Sequence, residues 1–148
     1  MFPSSLTRCR TLSGSCFFVW MLAAMPAAAQ PPLPPVDLQV GSHAIRAEHA
    51  TTPEALREGL MHRTALDPDG GMLFELGAPD VQCFWMKNTR IPLSIAFIDQ
   101  HGLIVDIQDM QAQSLEPHCP PVPITQALEM NLGWFARNQV KTGDAVRR

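Results

Sequence analysis

From Val36 onward the chain is organised by a two-residue period. Val36, Leu38 and Val40 alternate with Asp37 and Gln39, and the segment "HAIRAEHA" follows directly after Gly41-Ser42. Such alternation places one side of a pleated strand on a core. A glycine opening a two-residue connection suits a hairpin turn, so two paired strands are predicted here. Further along, Leu93, Ile95 and Phe97 alternate with Ser94 and Ala96 up to the turn "DQHG". Leu103, Val105 and Ile107 are predicted to share one face of the next strand. The short apolar runs "MLFEL", "VQCFWM" and "TQALEM" are bounded by turn residues and predict three more strands. A last strand is expected after the turn in "KTGDAV".

Helical signals are few. In "TTPEALREGLM", Thr52 can cap, Pro53 suits the first helical position and Glu54 suits the positive end of the dipole. Leu56 and Leu60 lie four apart on one face, and Gly59 weakens the last turn. "GWFARNQV" predicts a second short helix, whereas "PHCPPVP" holds too much proline for a central strand. Short strands separated by turns, with one or two short helices, give a mainly-β fold class: a compact sandwich or barrel.

The first 29 residues follow a different logic. Arg8 and Arg10 precede the apolar "CFFVWMLAAM", and "PAAAQ" offers Ala27 and Ala29 to a signal peptidase. The dense apolar part is about 10 residues, against roughly 20 for a spanning helix. Residues 1–29 are therefore expected to be a cleaved signal peptide, residues 30–35 a proline-rich linker, and residues 36–148 one domain. The expected address is exported, periplasmic or secreted, with no membrane span after cleavage and a monomeric product. Without Arg8 and Arg10 the net charge of −3 becomes −5. That acidic balance excludes a nucleic-acid binder as the first expectation. Two cysteines, Cys83 and Cys119, remain in the domain. In an oxidising compartment they can bridge, or Cys83 can pack as a small hydrophobe.

Five blocks occur in a fixed order: "GLMHR" (59–63), "GMLFEL" (71–76), "FWMKNT" with "IPL" (84–93), "LEM" before Gly133, and Gly143-Asp144 with Val146. In order and spacing the chain resembles the family known as domain of unknown function 192, over residues 36–147. The resemblance implies a small, mainly-β domain, often exported in bacteria, with no established activity. Members of that family usually carry aspartate after "IPL", where this chain has Ser94, so a role needing charge at that position does not transfer.

Candidate chemistry centres on Lys87-Asn88-Thr89, which follow an aromatic cluster. As structure they form a turn: Asn tolerates left-handed backbone, Thr satisfies loose main chain, and Lys lays its stem on Trp85. As a site, ammonium, amide and hydroxyl would meet a carbonyl, carboxylate or sugar hydroxyl beside Trp85. A lysine there needs a partner if buried, and Glu129, a charge inside "ALEM", is the candidate. Arg63 can bond the helix's last carbonyls, pair with Asp67 or Asp69, or clamp an anionic ligand. The expected ligand-binding set is Arg63, Trp85, Lys87, Asn88 and Glu129.

Methionines, His62, His118 and the two cysteines raise a soft-metal reading. They show no compact ligand spacing, and Met72, Met86 and Met130 sit in apolar strands, so no metal and no cofactor is assigned. No nucleophile-elbow or phosphate-loop pattern is present. The expectation is a non-catalytic binding module for a small polar ligand or a cell-envelope partner. The alternative is a hydrolase of envelope carbohydrate or peptide with Glu129 as acid or base near Lys87.

Overall fold

The structure, a computed structural model, describes residues 32–148; the signal-peptide and cleavage expectations lie outside the described residues. Seven strands and two short helices follow one another along the chain. They are β1 (Pro35–Val40), β2 (His43–Ala50), α1 (Pro53–Glu58), β3 (Gly70–Asp80), β4 (Leu93–Ile98), β5 (Ile104–Met110), β6 (Ile124–Asn131), α2 (Trp134–Arg137) and β7 (Val146–Arg147). The strands form one sheet in the order β5-β4-β6-β3-β2-β1-β7. Every neighbouring pair is antiparallel except β2 and β3, which run parallel and are joined across α1. A parallel pair needs such a crossover, because a tight turn reverses the chain.

The sheet curls. Leu103 bridges Ala145, and the amides of Ile104 and Gly143 bond the carbonyls of Asp144 and Ile104 at 2.9 and 2.8 Å. The entry to β5 thus meets the entry to β7, bringing the two edges together at one end. This is the barrel-like form of the mainly-β class, a half-barrel made from a single sheet.

Two apolar layers cover the two sides. All seven strands contribute to the first, from Leu38 and Val40 on β1 to Val146 on β7, and Trp134 and Phe135 of α2 fill it. Trp134 donates its indole N–H to Asp69 at 2.9 Å, satisfying the polar end of a buried ring. The second layer lies on the opposite side of β3, β4 and β6, with Met72, Phe74, Ile95, Phe97 and Ala127, and is roofed by Leu60 and Met86.

The hairpin about Gly41, the Thr52-capped helix and the strands at 93–98 and 124–131 occur where the pattern places them. The Thr52 side chain accepts from the Ala55 amide at 3.2 Å. Four expectations are corrected. "VQCFWM" is not a strand: residues 81–86 join none of the seven strands of the sheet, and Phe84 bridges instead to His118 in the loop after β5. β4 does not alternate between core and solvent, since all six residues are buried between the two layers. In β5 a bulge opposite Phe97 and Ile98 resets the phase, so Ile104 and Ile107 join the first layer while Leu103 is exposed. The proline stretch is not a free spacer at its end, because Pro35 opens β1 and Leu33 donates its amide to Glu48 Oε2 at 2.8 Å.

Candidate functional site

Glu129 sits in the middle of β6, opposite Met72 of β3 on one side and Ile95 of β4 on the other. Strand alternation turns Leu128 and Met130 into the first layer and Glu129 toward the second. It is 5% exposed. Burial pushes its carboxyl up to about 8, with no cation or hydrogen-bond donor offsetting that effect among the described residues. At neutral pH the group is therefore protonated, an O–H donor as well as an acceptor. No fully sealed side-chain oxygen or nitrogen lacks a partner among the described residues. The Glu129 oxygens are accordingly open to something, and what they open onto is a cleft.

The cleft has a volume of about 520 Å³ and its floor is Glu129 and Phe74. One wall is α1 and the turn after it, with Leu56, Leu60 and Met61. The other is the segment carrying Cys83, Phe84, Trp85 and Thr89. Phe84 meets Phe74 edge-to-face at 5.2 Å between centroids, so the aromatic floor and wall are continuous. Arg57 and Glu58 are the other charged residues in the lining. The size is that of a small-molecule site.

The second wall is held rigidly for a segment outside the sheet. Cys83 and Cys119 form a disulfide. Phe84 exchanges both backbone hydrogen bonds with His118, at 2.8 and 2.7 Å, and the Met86 amide bonds the Ser114 carbonyl at 3.1 Å. Lys87-Asn88-Thr89 is the turn that ends this wall. Asn88 takes a left-handed backbone (φ 61°), its carbonyl accepts from the His62 amide at 2.9 Å, and the Thr89 amide bonds back to Met86 at 3.0 Å. The turn therefore ties the two walls together.

The five sequence-predicted site residues separate. Glu129 and Trp85 line the cleft, Trp85 being half exposed. Lys87 is not the partner of Glu129: it is exposed, with its ammonium 5.3 Å from the centre of the Trp85 ring. Asn88 spends its backbone on the turn, and its side-chain amide reaches only the Met61 sulfur at 4.0 Å. Arg63 bonds neither the helix end nor Asp67 or Asp69, but Glu48 at 2.8 Å, with both side chains largely buried. That pair is an anchor between β2 and the segment after α1.

Thr89, whose hydroxyl was weighed as turn or site and left out of the expected binding set, is 5% exposed and lines the cleft. Its hydroxyl makes no side-chain hydrogen bond among the described residues and so opens, like Glu129, onto the same space. The signal was a hydroxyl beside an aromatic cluster, which a turn accounts for as readily as a site does. Three side chains that could serve as nucleophiles are occupied elsewhere: Cys83 and Cys119 in their bond, and Ser94 donating to Asp109 while accepting the Gly133 amide at 2.8 Å. The described residues contain no group of three His, Cys, Asp or Glu placed to hold a metal ion.

The family model of domain of unknown function 192, described as Uncharacterized ACR, matches residues 36–148. A protein of unknown function from Novosphingobium aromaticivorans DSM 12444 is 34% identical, with a TM-score of 0.75 over 82% of this chain and 94% of its own. A Sinorhizobium meliloti 1021 protein, provisionally described as a transcription regulator, is 32% identical, with a TM-score of 0.74 over 80% of this chain and 97% of its own. No curated protein matches.

Proposed function

Because the chain belongs to the domain of unknown function 192 family, whose name carries no activity, its role has to be read from the cleft, and we propose that it is a non-catalytic exported module that binds a small ligand there. The ligand places an apolar body between α1 and the Phe84–Trp85 wall and a polar head on Glu129. One observation carries this reading: a carboxyl 5% exposed, unpaired, and facing a cleft of about 520 Å³. An unpaired buried polar group is costly in a folded protein unless something else satisfies it. The disulfide between Cys83 and Cys119 supports an oxidising, exported address. The transcription-regulator description belongs to the Sinorhizobium protein, and the acidic balance of this chain speaks against a nucleic-acid ligand.

The test is native mass spectrometry of the freshly purified protein, followed by mapping of shifted amide resonances with the recovered compound. Shifts confined to Leu56–Met61, Phe84–Thr89 and Glu129, and lost in Phe84→Ala, are expected. A ligand mapping to another face, or none retained by any preparation, removes the reading.

A second reading has one feature in its favour. A carboxylic acid kept protonated in a cleft is also what a general acid requires. On this reading the chain is a hydrolase of envelope carbohydrate or peptide with Glu129 as proton donor and Glu58, the other carboxylate in the lining, as its counterpart. Turnover of peptidoglycan fragments abolished by Glu129→Gln would favour it; equal turnover by wild type and variant would dismiss it.

A further inference from the structure

We propose that the ligand of this cleft is a small primary amine with an apolar body, whose ammonium pairs with the Glu129 carboxyl and also donates to Thr89. The inference rests on the reading of the cleft as a ligand site and names its chemical class. Two polar side chains, each 5% exposed, open into one cavity without a partner among the described residues: a carboxyl and a hydroxyl. An ammonium has three donors and no acceptor, so it satisfies both at once. A hydroxyl head can serve both groups too, but brings no charge.

Charge decides between these heads. The groups facing Glu129 from its neighbouring strands are Met72 and Ile95, and the charged residues elsewhere in the lining are Arg57 and Glu58 of α1. Neither Lys87 nor Arg63 lines the cleft, because one stacks on Trp85 and the other is bound by Glu48. Arg57 lies in solvent beside Glu54, and no cation among the described residues acts on the Glu129 carboxyl; an ammonium gives a carboxylate a charge-assisted hydrogen bond that a hydroxyl head cannot. The remaining walls, Leu56, Leu60, Phe74 and Phe84, take an alkyl or aryl body, and aromatic faces attract an ammonium as well. The volume, about 520 Å³, suits a free amine rather than a folded partner.

Binding then has a balanced form. A protonated carboxyl and an ammonium ion give a carboxylate–ammonium pair and one proton released to solvent. Raised protonation of the free group at neutral pH agrees with that form.

The experiment is titration calorimetry of the intact protein with three probes of one shape: 2-phenylethylamine, 2-phenylethanol and phenylacetate. Buffers of different ionisation enthalpy count protons, and amide shifts locate each probe. The amine is expected to bind at least about tenfold more tightly than the alcohol at pH 8. It should release about one proton at pH 6.5, and its affinity should rise about tenfold per pH unit below pH 8. Glu129→Gln should abolish amine preference while retaining the alcohol, and Thr89→Val should weaken the amine by about fivefold. Alcohol or phenylacetate binding at these residues in preference to the amine, or amine binding without proton release, overturns the amine and leaves the cleft standing. No shift from any of the three overturns the amine as well, while a ligand recovered at this cleft by mass spectrometry would still support the cleft itself.

Discussion

Met72 and Glu129 are cross-strand partners on the two central strands, one filling the second apolar layer and the other interrupting it with a carboxyl. A thioether and a protonated acid can share that layer; a thioether and a carboxylate cannot without a counter-charge.

Stability should therefore fall as pH rises. In the unfolded chain Glu129 ionises near 4.5, whereas in the fold burial holds its proton up to about 8. Between those values the folded state binds a proton that the unfolded state has released. The contribution is fully present below the lower value and lost as pH rises through the upper one, by up to about 1.4 kcal/mol per pH unit. Thermal melts of wild type and Glu129→Gln across that window should diverge, with the glutamine variant flatter and more stable above pH 8. Parallel curves would show that the carboxyl is solvated.

Gly71 stands opposite Met130 in the β3–β6 ladder, where an added methyl group would collide with the Glu129 carbonyl and the Met130 sulfur. Backbone of a central strand cannot yield, so Gly71→Ala should destabilise by about 3 kcal/mol or more. Urea denaturation measures it, and a loss below about 1 kcal/mol would show that the strands can separate there.

Arg63 and Glu48 form the anchor beneath the turn after α1, with side chains 20% and 15% exposed. Arg63→Met strands a largely buried carboxylate and should cost about 3 kcal/mol. The double variant Arg63→Met, Glu48→Met should recover most of that, although the bond from the Leu33 amide to Glu48 goes with it. Equal losses in single and double variants would point to Arg63 packing rather than its charge.

The disulfide closes a loop spanning 36 residues and fixes the Phe84–Trp85 wall. Cys83→Ala with Cys119→Ala should lower stability by about 3–4 kcal/mol on loop-closure grounds. Hydrogen exchange should quicken from Phe84 to Thr89 and leave β3, β4 and β6 protected. Uniform loss of protection would mean that the bond holds the whole fold.

Local chemistry was legible wherever a short segment settles its own conformation. Gly41-Ser42, the Thr52 cap with Pro53, and the alternation in β1 act through neighbours in sequence, and the structure has them all. "VQCFWM" reads as a strand by the same criteria, yet it joins no strand of the sheet and pairs at Phe84 with His118, because pairing depends on which remote segment meets it in space. Arg63 and Lys87 were equally open: each had acidic candidates in sequence, and each took a partner chosen by three-dimensional proximity, Glu48 for one and the Trp85 ring for the other.

The amino-acid order alone determined a mainly-β domain, its turns, its capped helix, and a lone carboxylate within "ALEM" as an anomaly worth following. Tertiary structure decided what that anomaly means. β6 lies between β3 and β4, strands distant from it in the chain, and their Met72 and Ile95 exclude water from Glu129 on both sides. The open side is shaped by α1 and by a disulfide-tied segment that pairs with no strand. Burial and access are properties of that assembly of remote segments, and for that reason they could be read only from the fold.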